Sequence, residues 1–246
     1  MSGELSLFSL CCLSIIFFLG YFEQQITGFG ASLFCLPFSL FFIPKEIFTP
    51  IVWAFTFAQS IYILIKQRKS VNKKQLILSL LLACSAGTLL SVLFLERLPA
   101  AYVKLGLALF IAINSSIEIY RIRTGIVKKG LKLWHYIFPV GSGALQTSFG
   151  IGGPLLVAFL TKTIDDKNEL RSTLAGYWVF INGFLLISQW VTSGIPSEST
   201  KGALYLLPAV ILGMLIGNLA LKKVNHKTFS LLVHIVLIAS SILILL

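Results

Sequence analysis

Charge is scarce in this 246-residue chain: 12% of residues are charged and 57% are hydrophobic. A soluble domain carries about 25% charged residues. With a mean hydropathy of +0.91, no aqueous fold could hide this much apolar surface, so lipid must solvate it. Acids are the rarer sign, 9 Asp+Glu against 20 Lys+Arg, for a net charge of +11. The cations sit in short loops between apolar runs, a pattern of membrane topology that argues against nucleic-acid binding. Cysteine is limited to Cys11, Cys12, Cys35 and Cys84, all inside apolar runs. Their spacing gives neither a zinc site nor a secreted disulfide framework, and they read as small buried hydrophobes. His135, His226 and His234 lack metal-ligand spacing. The Ser, His and Asp residues form no recognisable catalytic set. No metal, cofactor or enzymatic chemistry is expected. The N-terminal apolar run lacks a basic flank and a small-residue cleavage site, so it reads as part of the mature protein.

What the chain does have is apolar runs. A spanning helix needs about 20 apolar residues. Five segments cover roughly residues 5–22, 28–43, 47–65, 75–95 and 100–120. Five more cover 133–148, 150–161, 172–192, 202–221 and 229–246. The fold class is all-α, a polytopic membrane protein. In each half the first two segments are shortest and are separated by glycines, as a broken helix or hairpin would be. The halves also match at one constant offset: Gln24 with Gln146, Gly28 with Gly150, Gly30 with Gly152, Lys45 with Lys167. At slightly larger offsets Gly87 matches Gly213, and Ser115–Ser116 match Ser240–Ser241. Two helical repeats, residues 1–125 and 126–246, follow within one membrane domain.

Cations orient these segments. Lys66, Arg68, Lys69, Lys73 and Lys74 share one loop, and Arg121, Arg123, Lys128, Lys129 and Lys132 a second. Lys222, Lys223 and Lys227 share a third. The positive-inside rule puts all three in the cytoplasm of an inner-membrane protein. Single crossings satisfy this only if each short pair is a hairpin that returns to its own side. Both termini then lie outside. The first repeat starts outside and the second inside, so the repeats are inverted, an arrangement that places transporter sites where glycine-interrupted helices meet. Whether the glycine hairpins span fully or re-enter is left open.

The candidate site follows. Thr27-Gly28-Phe29-Gly30 and Phe149-Gly150-Ile151-Gly152-Gly153-Pro154 each read as a break followed by a helix N-terminus. Such an end offers free N–H groups and partial positive charge to an anion. Gln24, Gln25 and Thr27, and Gln146, Thr147 and Ser148, precede the breaks and offer amide and hydroxyl donors. The substrate-binding candidates are therefore Gln24, Gln25, Thr27, Gly28, Gly30, Gln146, Thr147, Ser148, Gly150, Gly152 and Gly153. The plainer alternatives are close helix packing for the glycines and interhelical hydrogen bonds for the polar residues. Asn182, Gln59 and Ser60 lie at mid-depth of later helices with weaker claims, and Trp53 and Trp178 read as packing. Glu23 lies at the end of the first apolar run and is a proton-coupling candidate, with a water-facing tip or a helix cap as its alternatives. His234 reads as a buried, hydrogen-bonded histidine. Every Lys and Arg falls at or near a predicted helix end, so an anion held by helix ends without a buried cation is expected.

The run from Gly28 through Ala31, Ser32 and Cys35 to Pro37 resembles the sulfite exporter TauE/SafE family of membrane permeases. So do the run Gly150–Leu156, the Pro44-Lys45-Glu46 turn and the basic loop after the third segment. The resemblance covers nearly the whole chain. Ala31 and Ser32 stand where the family often has further glycine, and Glu23-Gln24-Gln25 is unusually polar. The resemblance implies a permease for sulfur oxyanions or organosulfonates such as sulfite or sulfoacetate. The leading expectation is a secondary carrier for a small anion, proton-coupled through Glu23. The alternatives are a channel-like anion pore, and an intramembrane enzyme or assembly factor of a sulfur pathway. The partners are the anion and the lipid bilayer.

Overall fold

A backbone in lipid has no water to bond, so its polar groups must pair within their own segment, as a helix does. The computed structural model describes residues 7–93, 97, 99–124, 133–149 and 152–243, and every regular element among them is helical. The first half holds α1 (Leu7–Thr27), a short α2 (Ala31–Ser39) and a long α3 (Lys45–Gln67). α4 (Lys73–Leu82) passes through a π turn at Ala83–Gly87 into α5 (Thr88–Leu93), and α6 (Ala100–Thr124) follows. The second half holds α7 (Ile137–Phe149), a short α8 (Gly153–Leu160), α9 (Lys167–Thr192), α10 (Ser197–Lys223) and α11 (His226–Leu243).

Among the described residues, five stretches are long and apolar enough to cross a bilayer: Leu7–Thr27, Lys45–Ser70, Lys73–Ser91, Lys167–Thr192 and Ser197–Lys223. α2 and α8 have 9 and 8 residues. At about 1.5 Å per residue neither reaches half of a roughly 30 Å hydrocarbon core. Local chemistry sets several helix starts. Asp166 Oδ1 accepts from Asn168 N and Glu169 N, both at 2.9 Å. Asn72 Oδ1 accepts from Gln75 N at 3.0 Å. These side chains satisfy donors that a first helical turn leaves open.

α1 lies along α10, α7 along α4 and α5, α3 along α9, and α6 along α11. Small residues let the first two of these contacts close. A Cβ at Gly217 would sit 2.8 Å from the Phe22 carbonyl oxygen of α1. A Cβ at Gly87 would sit 2.7 Å from the Val140 carbonyl oxygen of α7. Lipid is as apolar as leucine, so membrane helices associate through close approach of this kind. The outer faces present Leu7, Phe41, Leu204 and Trp190, an apolar surface suited to lipid.

Hydrogen bonds fix which ends meet. Gln67 Nε2, at the end of α3, donates to Asn168 Oδ1 in α9 at 3.1 Å, and Asn72 Nδ2 to Glu169 Oε1 at 2.7 Å. Lys167 Nζ donates to Val224 O just past α10, and Lys162 after α8 pairs with Glu118 near the end of α6. The ends of α3, α6, α8 and α10 and the starts of α4 and α9 thus form one end of the bundle. It gathers Lys66, Arg68, Lys69, Lys73, Lys74, Arg121, Arg123, Lys222 and Lys223, and we term it the basic end. At the opposite end Ser199 Oγ of α10 donates to Ile47 O of α3 at 3.0 Å.

Three sequence expectations change. The segment over 75–95 is interrupted by the π turn, where Gly143 of α7 presses on Ala83. Among the described residues, the second and seventh segments are helical over Ala31–Ser39 and Gly153–Leu160, with glycines just before or at their starts. Cys11 and Cys84 are exposed and Cys12 is half-buried, while Cys35 is buried. An apolar run in a membrane helix faces lipid as often as protein, so hydrophobic surroundings in sequence do not fix burial.

Candidate functional site

α1 ends where Gly28 and Gly30 adopt φ of 89° and 109°. L side chains rarely enter that region, and glycine does so without a Cβ clash. The chain thereby leaves α1 and enters α2 within three residues. Backbone groups freed by the break find partners. Gln24 O accepts from Gly28 N at 2.8 Å. Gln25 O accepts from Arg171 Nη2 at 2.6 Å, and Gly28 O from Trp178 Nε1 at 2.9 Å. Phe29 N donates to Thr27 Oγ1 at 3.4 Å. Ala31 N, the first donor of α2, bonds Gln24 Oε1 at 3.0 Å. An apolar interior demands this pairing, since each unmet group there is costly.

The second break reaches the same result differently. Gly152 N donates to Gln146 Oε1 at 3.0 Å. Pro154 occupies the first turn of α8, where a missing N–H is no loss. Gly152 has an ordinary φ of −69°. Glycine is needed there for space, since a Cβ would overlap the Ser142 carbonyl oxygen.

The two breaks meet. A Cβ on Gly153 would lie 3.9 Å from the Phe29 ring and 3.6 Å from the Trp178 indole. Beside them is a cavity lined by Gln24, Gly30, Ser32, Leu33, Thr56, Gln146, Gly153, Trp178 and Asn182. The space open to a water's centre is about 20 Å³, room for one or two waters. Its lining holds amides, a hydroxyl pair, an indole and helix starts, with no Lys, Arg, Asp or Glu among the described residues. The first turns of α2 and α8 have no intrahelical acceptor for their N–H groups, and Ser32, Leu33 and Gly153 lie in them. Gln24 and Gln146 spend their side-chain carbonyls on the helix starts, so their NH₂ groups are the donors they retain. Asn182 Nδ2 is buried without a partner among the described residues.

Of the residues singled out from the sequence, Gln24, Gly30, Gln146 and Gly153 line the cavity. Gln25 turns instead to α3, where its Oε1 accepts from Gln59 Nε2 at 2.8 Å. Gly28 packs on Arg171 and Leu174, and Gly152 holds Gln146. Thr147 is exposed and bonds back to Gly143 O at 2.9 Å. Gly150 and the Ser148 side chain lie outside the described residues. The Glu23 carboxylate folds over Gly30. Its Oε1 accepts from Thr27 Oγ1 at 2.7 Å, and its Oε2 is buried without a partner among the described residues. His234 is buried, but its Nδ1 has no partner there either.

Sequence reasoning missed Ser32 and Thr56 and ranked Trp178 too low. One signal was present: Thr56 and Trp178 are separated by the same interval as Gln24 and Gln146. It also expected no buried cation. Arg171 is 1% exposed although it lies in the second turn of α9. Nearness to a helix end gives no depth when neighbouring elements close over that end, as the ends of α1 and α3 do here.

A family model described as sulfite exporter TauE/SafE matches residues 12–244. The chain belongs to the TauE/SafE family. No curated protein and no solved structure matches it. As a TauE/SafE member it is a multi-pass membrane transporter of sulfur anions, in a family of transporters rather than enzymes.

Proposed function

We propose that this TauE/SafE protein is a secondary carrier for a small sulfur oxyanion or organosulfonate, such as sulfite or sulfoacetate, held in the cavity between the starts of α2 and α8. The observation that carries this reading is the cavity lining: two helix N-termini and neutral donors among the described residues. Each helix start offers about half a unit of positive charge. Two of them approach one unit, which suits a singly charged anion better than a full dianion. The carboxylate of Glu23 beside Gly30 gives the site a means of proton coupling. When protonated it no longer repels the anion.

The architecture of two inverted repeats has its own support. α1 packs on α10 as α7 packs on α4 and α5, and α3 with α9 and α6 with α11 form self-reciprocal pairs. The α7–α8 hairpin opens at the basic end, where Tyr136 lies 5.9 Å from Phe159. The α1–α2 hairpin opens at the other end, where α3 begins. The basic end is the cytoplasmic face of an inner membrane in this reading, and both termini face outward.

Binding to purified protein tests the anion class. Sulfite and a short sulfonate should each protect against thermal unfolding, with half-effects at lower concentration than for sulfate or acetate. Equal protection by all four would remove the sulfur oxyanion from the proposal.

A further inference from the structure

Arg171 is a buried cation that the cavity does not use. Its Nη2 donates to Gln25 O at 2.6 Å and its Nη1 to Gln67 Oε1 at 3.3 Å. Its Nε is buried without a partner among the described residues. The ion pairs among the described residues are Arg121–Glu118 and Lys162–Glu118, and Arg171 belongs to neither. Burial of a full charge against neutral acceptors alone is unfavourable. Capping the α1 carbonyls accounts for one of its bonds, and a neutral donor could have supplied that.

Its place on α9 gives a reason. Arg171, Leu174, Trp178 and Asn182 follow one another at helical spacing, on the face of α9 that meets the first break. Asn182 and Trp178 line the cavity. Trp178 bonds Gly28 O, and Leu174 and Arg171 also pack against Gly28. Arg171 lies about 10 Å along the helix axis from Trp178, toward the basic end, and its partner Gln67 is the last residue of α3. Gln67 also ties α3 to α9 through Asn168. The guanidinium therefore lies between the cavity-lining stretch of α9 and the basic end.

We propose that Arg171 is a second anion-binding station between the cavity and the basic end, and that its bonds to Gln25 O and Gln67 Oε1 close that end until an anion replaces them. This rests on the anion-carrier reading above. Guanidinium suits the task because it presents a planar fork of donors to an oxyanion. In this conformation the fork is spent on neutral oxygens, which an incoming anion displaces by its stronger charge-assisted bonds.

Sulfite flux from each face of the full-length protein tests this, in inside-out and right-side-out vesicles. Arg171→Gln should raise the half-saturating sulfite at the basic face by about tenfold, the scale of a lost charge-assisted hydrogen bond, and leave the other face within about twofold. Arg171→Lys should recover part of the loss. A brace with only a structural role would alter both faces alike, so equal shifts, or none, would overturn the station. If Arg171→Gln fails to assemble, Gln67→Leu decides: it keeps the charge and weakens the closure. It should speed entry from the basic face, and an unchanged or slower rate overturns the proposal. Wild-type protein that moves no sulfite from either face sinks the carrier reading itself. An active wild type with a silent Arg171→Gln sinks only the station.

Discussion

Gly152 and Gly153 are neighbours in sequence with opposite tolerances. A Cβ at Gly152 overlaps the Ser142 carbonyl oxygen, and backbone cannot step aside as a side chain can. Gly152→Val should therefore lose folded protein as well as transport, at a cost of about 1–3 kcal/mol or more for overpacking. A Cβ at Gly153 meets Trp178 at 3.6 Å, an ordinary contact. Gly153→Ala should fold with near wild-type yield and still carry sulfite poorly, because its methyl group enters a cavity with little room. Size-exclusion profiles and vesicle flux measured together separate the two cases. Normal flux in Gly153→Ala would remove the helix starts from the site. Glu23 makes a second case. If its proton admits the anion, wild-type flux falls as pH rises, and Glu23→Gln flattens the profile. A Glu23→Gln profile that matches wild type returns Glu23 to a structural role beside Thr27 and Gly30. From sequence, the glycines and both glutamines could be found, because breaks in an apolar run are visible. That Gln24 and Gln146 tie down helix starts could not, because it depends on which atom of each amide faces inward.

At the scale of elements, the contacts of α10 on α1 and of α4–α5 on α7 rest on glycine. Gly217→Val would drive its side chain into the Phe22 carbonyl oxygen and Gln25. Expected is loss of monodisperse protein in detergent. Gly106→Ala, where nothing among the described residues lies within 4 Å, serves as the control and should be silent. A well-behaved Gly217→Val would mean that α10 does not need its close approach to α1. Helix existence and order were legible from the apolar runs. The π turn at Ala83–Gly87 was not. Its sequence is compatible with a plain helix, and the turn lies where Gly143 of α7 presses on Ala83, a contact made by a residue far along the chain.

For the whole molecule, charge counting along the sequence expects the three basic loops to share a side, and their described cations lie at one end of the bundle. Burial of Arg171 escaped the same counting, because charge position along a helix says nothing of what closes over it. Sidedness is directly measurable. In a background without the four native cysteines, Lys69→Cys should resist an impermeant thiol reagent added outside, and Ser197→Cys should react. The reverse pattern would invert the topology and with it the direction assigned to the Arg171 station. The central claim is that a sulfur oxyanion is carried through an alternating site. Labelled sulfite flux in proteoliposomes, measured with and without unlabelled sulfite on the opposite side, tests it most directly. The account predicts flux that saturates with concentration and accelerates when sulfite is present opposite, since a loaded carrier returns faster than an empty one. Flux that rises linearly and ignores the opposite side would contradict it and leave a pore.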